Sequence, residues 1–135
     1  MKPPDEVQTE LIQQWLSKAE DDFGLAEYLT SEGSPYWAAI GFHAQQSAEK
    51  FLKAFLVAHQ VEFEKFHYLG YLLDLVARVD PTLADSLREV TALDPYAVQL
   101  RYPASLGEKD FRDTTWALSL ARKVRDSVRR ALRMG

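Results

Sequence analysis

Apolar side chains recur every three or four residues along most of the 135-residue chain. This spacing is typical of amphipathic helices, which bury one face and expose the other. A first helix is predicted over residues 5–30, with these positions on its buried face: Ile12, Trp15, Leu16, Ala19, Phe23 and Ala26. A second, central helix is predicted from Ser34 and Pro35 to about His59, because serine can cap a helix and proline is tolerated at its first position.

Shorter elements follow the central helix. Residues 60–66 show no helical period and are predicted to connect to a third helix marked by Leu69, Leu72, Leu73 and Val76. Pro81 signals the start of a fourth helix, and Pro95 either kinks or restarts it. A loop over residues 104–109 precedes a last helix, for which Asp110 is the expected cap. Since no strand-like alternation occurs, the sequence predicts an all-α, up-and-down bundle of four to five helices.

Length and composition favour one domain over residues 1–135, with residues 1–10 expected to fray. Dividing a chain of this size would leave neither half enough apolar area for a core. No apolar run is long enough to cross a bilayer or to act as a secretory signal, so a cytoplasmic location is expected. The chain has no cysteine. With no His, Asp or Glu cluster at metal-ligand spacing either, no metal and no other cofactor is expected.

The charges are unevenly distributed. A formal net charge of −4 argues against broad, non-specific attraction to nucleic acid. Acidic residues concentrate in the first helix, and basic residues concentrate in the last: Arg122, Lys123, Arg125, Arg129, Arg130 and Arg133. Because charge runs usually pair locally or solvate a helix, we expect these two helices to lie side by side with their charges facing each other.

Four sequence elements occur in a fixed order. Trp15, Ala19, Asp22 and Ala26 lie in the first helix, and the second helix carries a Gln-Gln-x-Ala-Glu-Lys-x-x-Lys-Ala block at 45–54. A Lys-x-His-x-Leu element at 65–69 and an Asp-x-Tyr plus Arg-Tyr-Pro element at 94–103 follow. Together they resemble the HEPN family of nucleotide- and RNA-associated helical proteins, and the resemblance extends from Trp15 to the last helix.

The resemblance implies a homodimer that binds a nucleotide or RNA and has a minimal nucleotidyltransferase as partner in a toxin–antitoxin-like pair. Active ribonucleases of the family carry an arginine followed four to six residues later by histidine. No histidine occurs after His67 in this chain, so that motif is absent and catalysis is not expected. Two alternatives stay open: a divergent, metal-independent ribonuclease toxin that uses His67, and a dimeric interaction domain without a ligand.

Arg101 and Tyr102 are the first candidates for ligand binding. A guanidinium at a helix end offers a planar, charged fork for phosphate, and a neighbouring tyrosine adds a stacking face. The full set of candidate nucleotide-binding residues is Arg101, Tyr102, Tyr96, Lys50, Lys53, Gln46, Glu49 and His67. The structural alternative for the polar block of the second helix is a satisfied seam between helices or in a dimer interface. For Arg101 it is an ion pair with Asp94 or Glu49.

Overall fold

Helices account for nearly all of the structure, a computed structural model that describes residues 4–65, 68–99 and 113–134. The helices in these ranges are α1 (Pro4–Ser31), α2 (Trp37–Ala58), α3 (Leu69–Ala77), α4 (Pro81–Ser86), a 3-10 helix (Arg88–Leu93), α5 (Asp94–Gln99) and α6 (Thr114–Met134). No strand occurs among these residues. The predicted all-α bundle is therefore confirmed.

The central position predicted for the second helix is also confirmed. α2 contacts α1, α3, α5, α6 and the 3-10 helix, and its apolar side chains are closed off from solvent on several sides. The large side chains that it buries include Ile40, Phe51, Leu52 and Phe55. α1 and α6 cover it with their own buried stripes, so the hydrophobic core surrounds one helix. No helix in the described ranges is long and apolar enough to cross a membrane.

The start of α2 differs from the prediction by two residues. Gly33 takes a left-handed conformation, with φ at 66°, and ends the turn after α1. The Ser34 hydroxyl accepts a hydrogen bond from the Tyr36 amide at 3.2 Å, so it satisfies an amide ahead of the helix. α2 itself begins at Trp37, without a side-chain cap. The serine–proline signal thus forms a tight turn before the helix and does not form its first turn.

The predicted fourth helix is divided into three short elements. Asp80 caps α4 as expected, because its carboxylate accepts a hydrogen bond from the Leu83 amide at 3.0 Å. The chain then continues as a 3-10 helix in which Val90 and Leu93 are fully buried, as is Leu87 at the position just before it. Side chains three residues apart eclipse one another in a 3-10 helix, so this spacing directs all three into the core. α5 restarts at Asp94, which was one of the two outcomes predicted for the proline at 95.

The cap of α6 is Asp113 and not Asp110. The Asp113 carboxylate accepts a hydrogen bond from the Trp116 amide at 3.0 Å, and the helix begins at Thr114. An aspartate immediately before the first helical residue reaches the amide three positions later, which satisfies a backbone donor that the helix leaves unpaired. Asp110 lies outside the described residues.

Ion pairs join α1 to α6, as the charge distribution predicted. Glu20 accepts hydrogen bonds from the Arg125 guanidinium at 2.8 Å and from the Arg129 guanidinium at 2.6 Å. Partial burial tends to raise the pKa of Glu20, but the hydrogen bonds and charges of the two arginines outweigh it and lower the pKa below the ordinary value of 4.5. A second pair, Arg122 with Glu27 at 3.2 Å, is exposed.

We expect Glu20→Gln to lower the free energy of unfolding by about 1 kcal/mol at neutral pH, because both arginines lose their carboxylate. Since the pKa of Glu20 is lowered in the folded protein, its stabilisation is complete above about pH 4.5 and is lost as the pH falls through the folded-state value. Denaturant unfolding of both proteins at several pH values measures this difference.

Glu27→Gln provides the matched control, since Glu27 also pairs with an α6 arginine but lies in solvent. Its effect should stay within about 0.5 kcal/mol. Equal losses from the two substitutions would show that the contact at Glu20 contributes no more than an ordinary surface pair.

Candidate functional site

Two of the three charged residues of the α2 block lie inside the protein. Glu49 and Lys53 are only 1% and 6% exposed, and their side chains form an ion pair with 2.7 Å between Oε1 and Nζ. This is the intrahelical pair that their four-residue spacing predicted. The Lys53 ammonium also lies 5.2 Å from the ring centroid of Trp15 and 5.5 Å from that of Phe63. Two cation–π contacts and an ion pair therefore hold α1 and the 60–65 connection against α2.

The two glutamines of the block form a chain of hydrogen bonds that leads through Asp94 to the start of α3. Gln46 donates a hydrogen bond to Gln45 at 2.7 Å, and Gln45 donates to the Asp94 carboxylate at 3.3 Å. The same carboxylate accepts from the Leu69 amide at 2.9 Å, so Asp94 caps the start of α3 from 25 residues away. Burial raises the pKa of Asp94 and outweighs these hydrogen bonds, which act to lower it. Asp94 thus connects α2, α3 and α5.

Tyr96 lies in a notch on the central helix. It is fully buried, and a Cβ added to Gly41 would come within 2.0 to 2.5 Å of its ring atoms. The glycine is required because the ring packs directly on the α2 backbone at that position. In this conformation the ring has no face open to solvent and is closed to base stacking. Asp94 and Tyr96 together fix the first turn of α5, whose last residue, Gln99, comes two positions before Arg101 in the chain.

The remaining candidates divide into two groups. Lys50 is partly exposed, but its ammonium pairs with the Asp22 carboxylate at 2.5 Å. Arg101, Tyr102 and His67 lie outside the described residues. Among the described candidates, then, the structure joins Glu49 to Lys53 and the glutamines to Asp94, and places Lys50 on a separate contact with α1.

A polar cluster of Asp22, His43 and Lys50 was not predicted from the sequence. Asp22 of α1 pairs through its second oxygen with Nδ1 of His43 at 2.9 Å, so it joins the histidine to Lys50. The sequence does not indicate this pair, because no acidic residue lies one turn from His43 in α2 and the partner belongs to another helix. The available signal was that His43 and Lys50 are seven residues apart, which places them on one face of α2. No group of three potential metal ligands occurs in the described part of the chain.

These features define an all-α bundle whose central helix carries a buried polar block anchored to an Asp-x-Tyr turn. The family model of the HEPN domain matches residues 12–131, and the chain belongs to the HEPN domain family. It is similar to the crystal structure of TT1696 from Thermus thermophilus, with a TM-score of 0.70 and 27% identity over 88% of this chain and 96% of that chain. No curated protein gives a significant match. Family membership supports a nucleotide- or RNA-related function in general.

Gly41→Ala should destabilise the protein by about 1–3 kcal/mol, because the added methyl group would overlap the Tyr96 ring. Gly24→Ala is the matched control: it also lies inside a long helix, but an added Cβ meets no described atom within 4 Å. That substitution should stabilise the fold by up to about 1 kcal/mol through helix propensity. Thermal or denaturant unfolding measures both effects. If the extra cost of Gly41→Ala persists in a Tyr96→Ala background, the overlap is not its cause.

Asp94→Ala should lower stability by about 1–3 kcal/mol, because the buried Leu69 amide and Gln45 lose their acceptor. Asp94→Asn keeps one oxygen for the amide and should cost less. Hydrogen exchange of the Leu69 amide, followed by NMR, should accelerate in the alanine variant more than in the asparagine variant. Asp85→Ala, an exposed aspartate on α4, controls for loss of charge. Unchanged exchange at Leu69 in Asp94→Ala would contradict the assigned cap.

Proposed function

We propose that this HEPN protein binds a nucleotide or RNA without cleaving it and works beside a minimal nucleotidyltransferase in a toxin–antitoxin-like pair. The observation that carries the non-catalytic part is the sequence after Arg101. An Arg-x(4–6)-His motif starting there would need histidine at position 106, 107 or 108, where the chain has Leu106, Gly107 and Glu108. No other arginine qualifies, because no histidine follows His67.

The missing histidine matters for the chemistry. RNA cleavage without a metal requires a group that can take up and release a proton near neutral pH, and histidine is the side chain whose ordinary pKa suits that task. Arginine stays protonated throughout this range. A site built on Arg101 and Tyr102 can therefore hold a phosphate and stack on a base, but it lacks a proton-transfer group of its own.

The packing of the α2 block supports a structural role for some candidate residues and a ligand-binding role for others. Lys53 is enclosed by Glu49 and two aromatic rings, and Tyr96 is buried against the α2 backbone, so neither offers its functional group to a ligand in this conformation. These contacts suit a structural role: Lys53 holds α1 and the 60–65 connection against α2, and Tyr96 with Asp94 fixes α5, which leads in the chain toward Arg101. Ligand binding then depends mainly on Arg101 and Tyr102.

The charge distribution supports a specific partner over general nucleic-acid binding. Arg125 and Arg129, the centre of the basic run in α6, are committed to Glu20 of α1. Long-range attraction to a phosphate backbone needs a continuous basic face, which these pairs interrupt. A nucleotidyltransferase partner would bring its own nucleotide site. A chain without a continuous basic face, beside such a partner, suits recognition of one phosphate-bearing group and not of a long nucleic acid.

Arg101→Ala should weaken binding of ATP, GTP or a short RNA by at least about tenfold, because a charge-assisted contact to phosphate is lost. Isothermal titration of the purified full chain measures this loss. Arg130→Ala, an exposed arginine on α6 with no ion pair among the described residues, is the control and should leave affinity within about twofold. Absence of binding to all three probes, with Arg101→Ala indistinguishable from the parent, would show that the ligand-binding proposal is wrong.

Two further measurements address catalysis and the partner. Expression of the chain alone should not arrest growth; arrest that disappears with His67→Ala would favour the ribonuclease alternative and overturn the proposal. A nucleotidyltransferase encoded in the adjacent reading frame should co-purify with the chain when both are expressed. Failure of such a pair to associate would remove the partner from the proposal.

A further inference from the structure

A groove lies between the 60–65 connection and α3, and we call it the α3 groove. The connection forms one wall, and Tyr71, Leu75 and Arg78, which follow each other at four- and three-residue steps on one side of α3, form the other wall. Its volume is about 1010 Å³, at the upper end of the range for small-molecule pockets. A groove of this size between two walls suits an extended chain better than a compact ligand.

The 60–65 connection has the alternating exposure of a β-strand. Val61 and Phe63 are half-buried, whereas Glu62 and Glu64 are exposed. Aromatic packing holds this arrangement in place, because the ring centroids of Phe63 and Trp15 lie 6.2 Å apart in an edge-to-face contact. This wall of the α3 groove is therefore fixed by contacts within the bundle before any ligand binds.

One backbone edge of the connection is unpaired. The Val61 amide donates to the Leu56 carbonyl at 2.9 Å, and the Glu64 amide donates to the Tyr71 hydroxyl at 2.8 Å. In an extended chain the amides and carbonyls of alternate residues point to the same side, so those of Glu62 point toward α3, as the Glu64 amide does. They form no hydrogen bond with a described residue. These groups are the donor and acceptor that an added strand uses.

The charges that line the α3 groove are not used by the fold. None of Glu62, Glu64, Lys65 and Arg78 forms an ion pair with a described residue. Tyr71 meets the connection at Glu64, next to Lys65, and Arg78 comes two turns later on α3, about 10 Å away along the helix axis. Cations thus lie at both ends of the groove, and two carboxylates lie along the connection. A ligand that complements this order has positive charges at its centre and negative charges at its ends.

We propose that the α3 groove binds an extended segment of another protein, which adds as an antiparallel strand along the 60–65 connection. Two basic side chains of the segment pair with Glu62 and Glu64, and the apolar side chain between them packs on the Phe63 ring. Acidic residues at its ends meet the two cations. Backbone hydrogen bonds to Glu62 supply affinity, and the alternate side chains supply specificity. This inference goes beyond the proposed function, because it uses none of the nucleotide-binding candidates and is tested without a nucleotide.

The probe is the synthetic peptide Asp-Thr-Lys-Val-Lys-Thr-Asp, blocked at both ends, which is titrated into the full chain and followed by NMR. We expect a dissociation constant on the order of 100 µM, with the largest amide shifts at residues 60–65 and 71–78. The charge-swapped peptide Lys-Thr-Glu-Val-Glu-Thr-Lys is the matched control, because both peptides have no net charge. It should bind at least about tenfold more weakly, since each favourable charge pair becomes repulsive.

A modified peptide tests the backbone pairing separately from the charges. Methylation of the backbone nitrogen of both lysines in the probe keeps every side chain but removes the amide that faces Glu62 in an antiparallel pair. This peptide should bind at least about tenfold more weakly than the probe, because the hydrogen bond to the Glu62 carbonyl is lost and the methyl group blocks close approach. Undiminished binding would contradict strand addition.

Substitution in the chain locates the contact. Glu62→Lys/Glu64→Lys should weaken binding of the probe at least about tenfold, because both central pairs become repulsive. Glu32→Lys/Asp85→Lys is the control: it makes the same change in net charge at two exposed positions outside the α3 groove, and it should bind the probe within about twofold of the parent. Circular dichroism melting verifies that both variants fold.

Three results would overturn the proposal. The first is no binding of the probe at about 1 mM, and the second is binding of the charge-swapped peptide that equals or exceeds it. The third is a complex that Glu62→Lys/Glu64→Lys leaves unchanged, which would place the peptide elsewhere on the protein.

Discussion

The structure depends on the burial of polar side chains along the central helix. α2 carries Gln45, Glu49 and Lys53 into the core together with its apolar residues. A buried charge or amide is costly unless it is paired, so partners must lie at fixed positions on α2 itself or on neighbouring elements. α1 and the 60–65 connection supply the rings around Lys53, and α5 supplies the carboxylate that meets Gln45. The polar block therefore determines where the surrounding elements can pack.

This constraint changes how the Gln-Gln-x-Ala-Glu-Lys-x-x-Lys-Ala block at 45–54 is interpreted. Glutamate, lysine and glutamine on one side of a helix have the residue types expected of a phosphate site, but here they are used to connect helices. The carboxylate of Asp94 shows the consequence most clearly, because it caps α3, accepts from Gln45 and starts α5. Arg101 follows shortly after the end of α5 in the chain. In this conformation Gln45, Glu49 and Lys53 hold neighbouring elements in place, and their buried functional groups are closed to a ligand.

The sequence predicted the parts of the fold that depend on local spacing. The period of α1, the central role of α2 and the Glu49–Lys53 pair all follow from residues within one or two turns of each other. The contacts of Asp22 with His43 and of Asp94 with Leu69 could not be predicted, because they join residues 21 and 25 positions apart on different elements. The 3-10 helix was missed since a buried residue every third position also fits one face of an α-helix over so short a length.

Several cations of the bundle are already paired with carboxylates of α1. Glu20 pairs with both arginines at the centre of α6, and Asp22 pairs with Lys50, so these cations are already engaged by carboxylates of α1. Among the described residues, the outer side of α1 stays exposed to solvent. The outer side of α1 and the Asp94 contacts that attach α5 to the central helix therefore share no residue, and substitutions at one leave the contacts of the other in place.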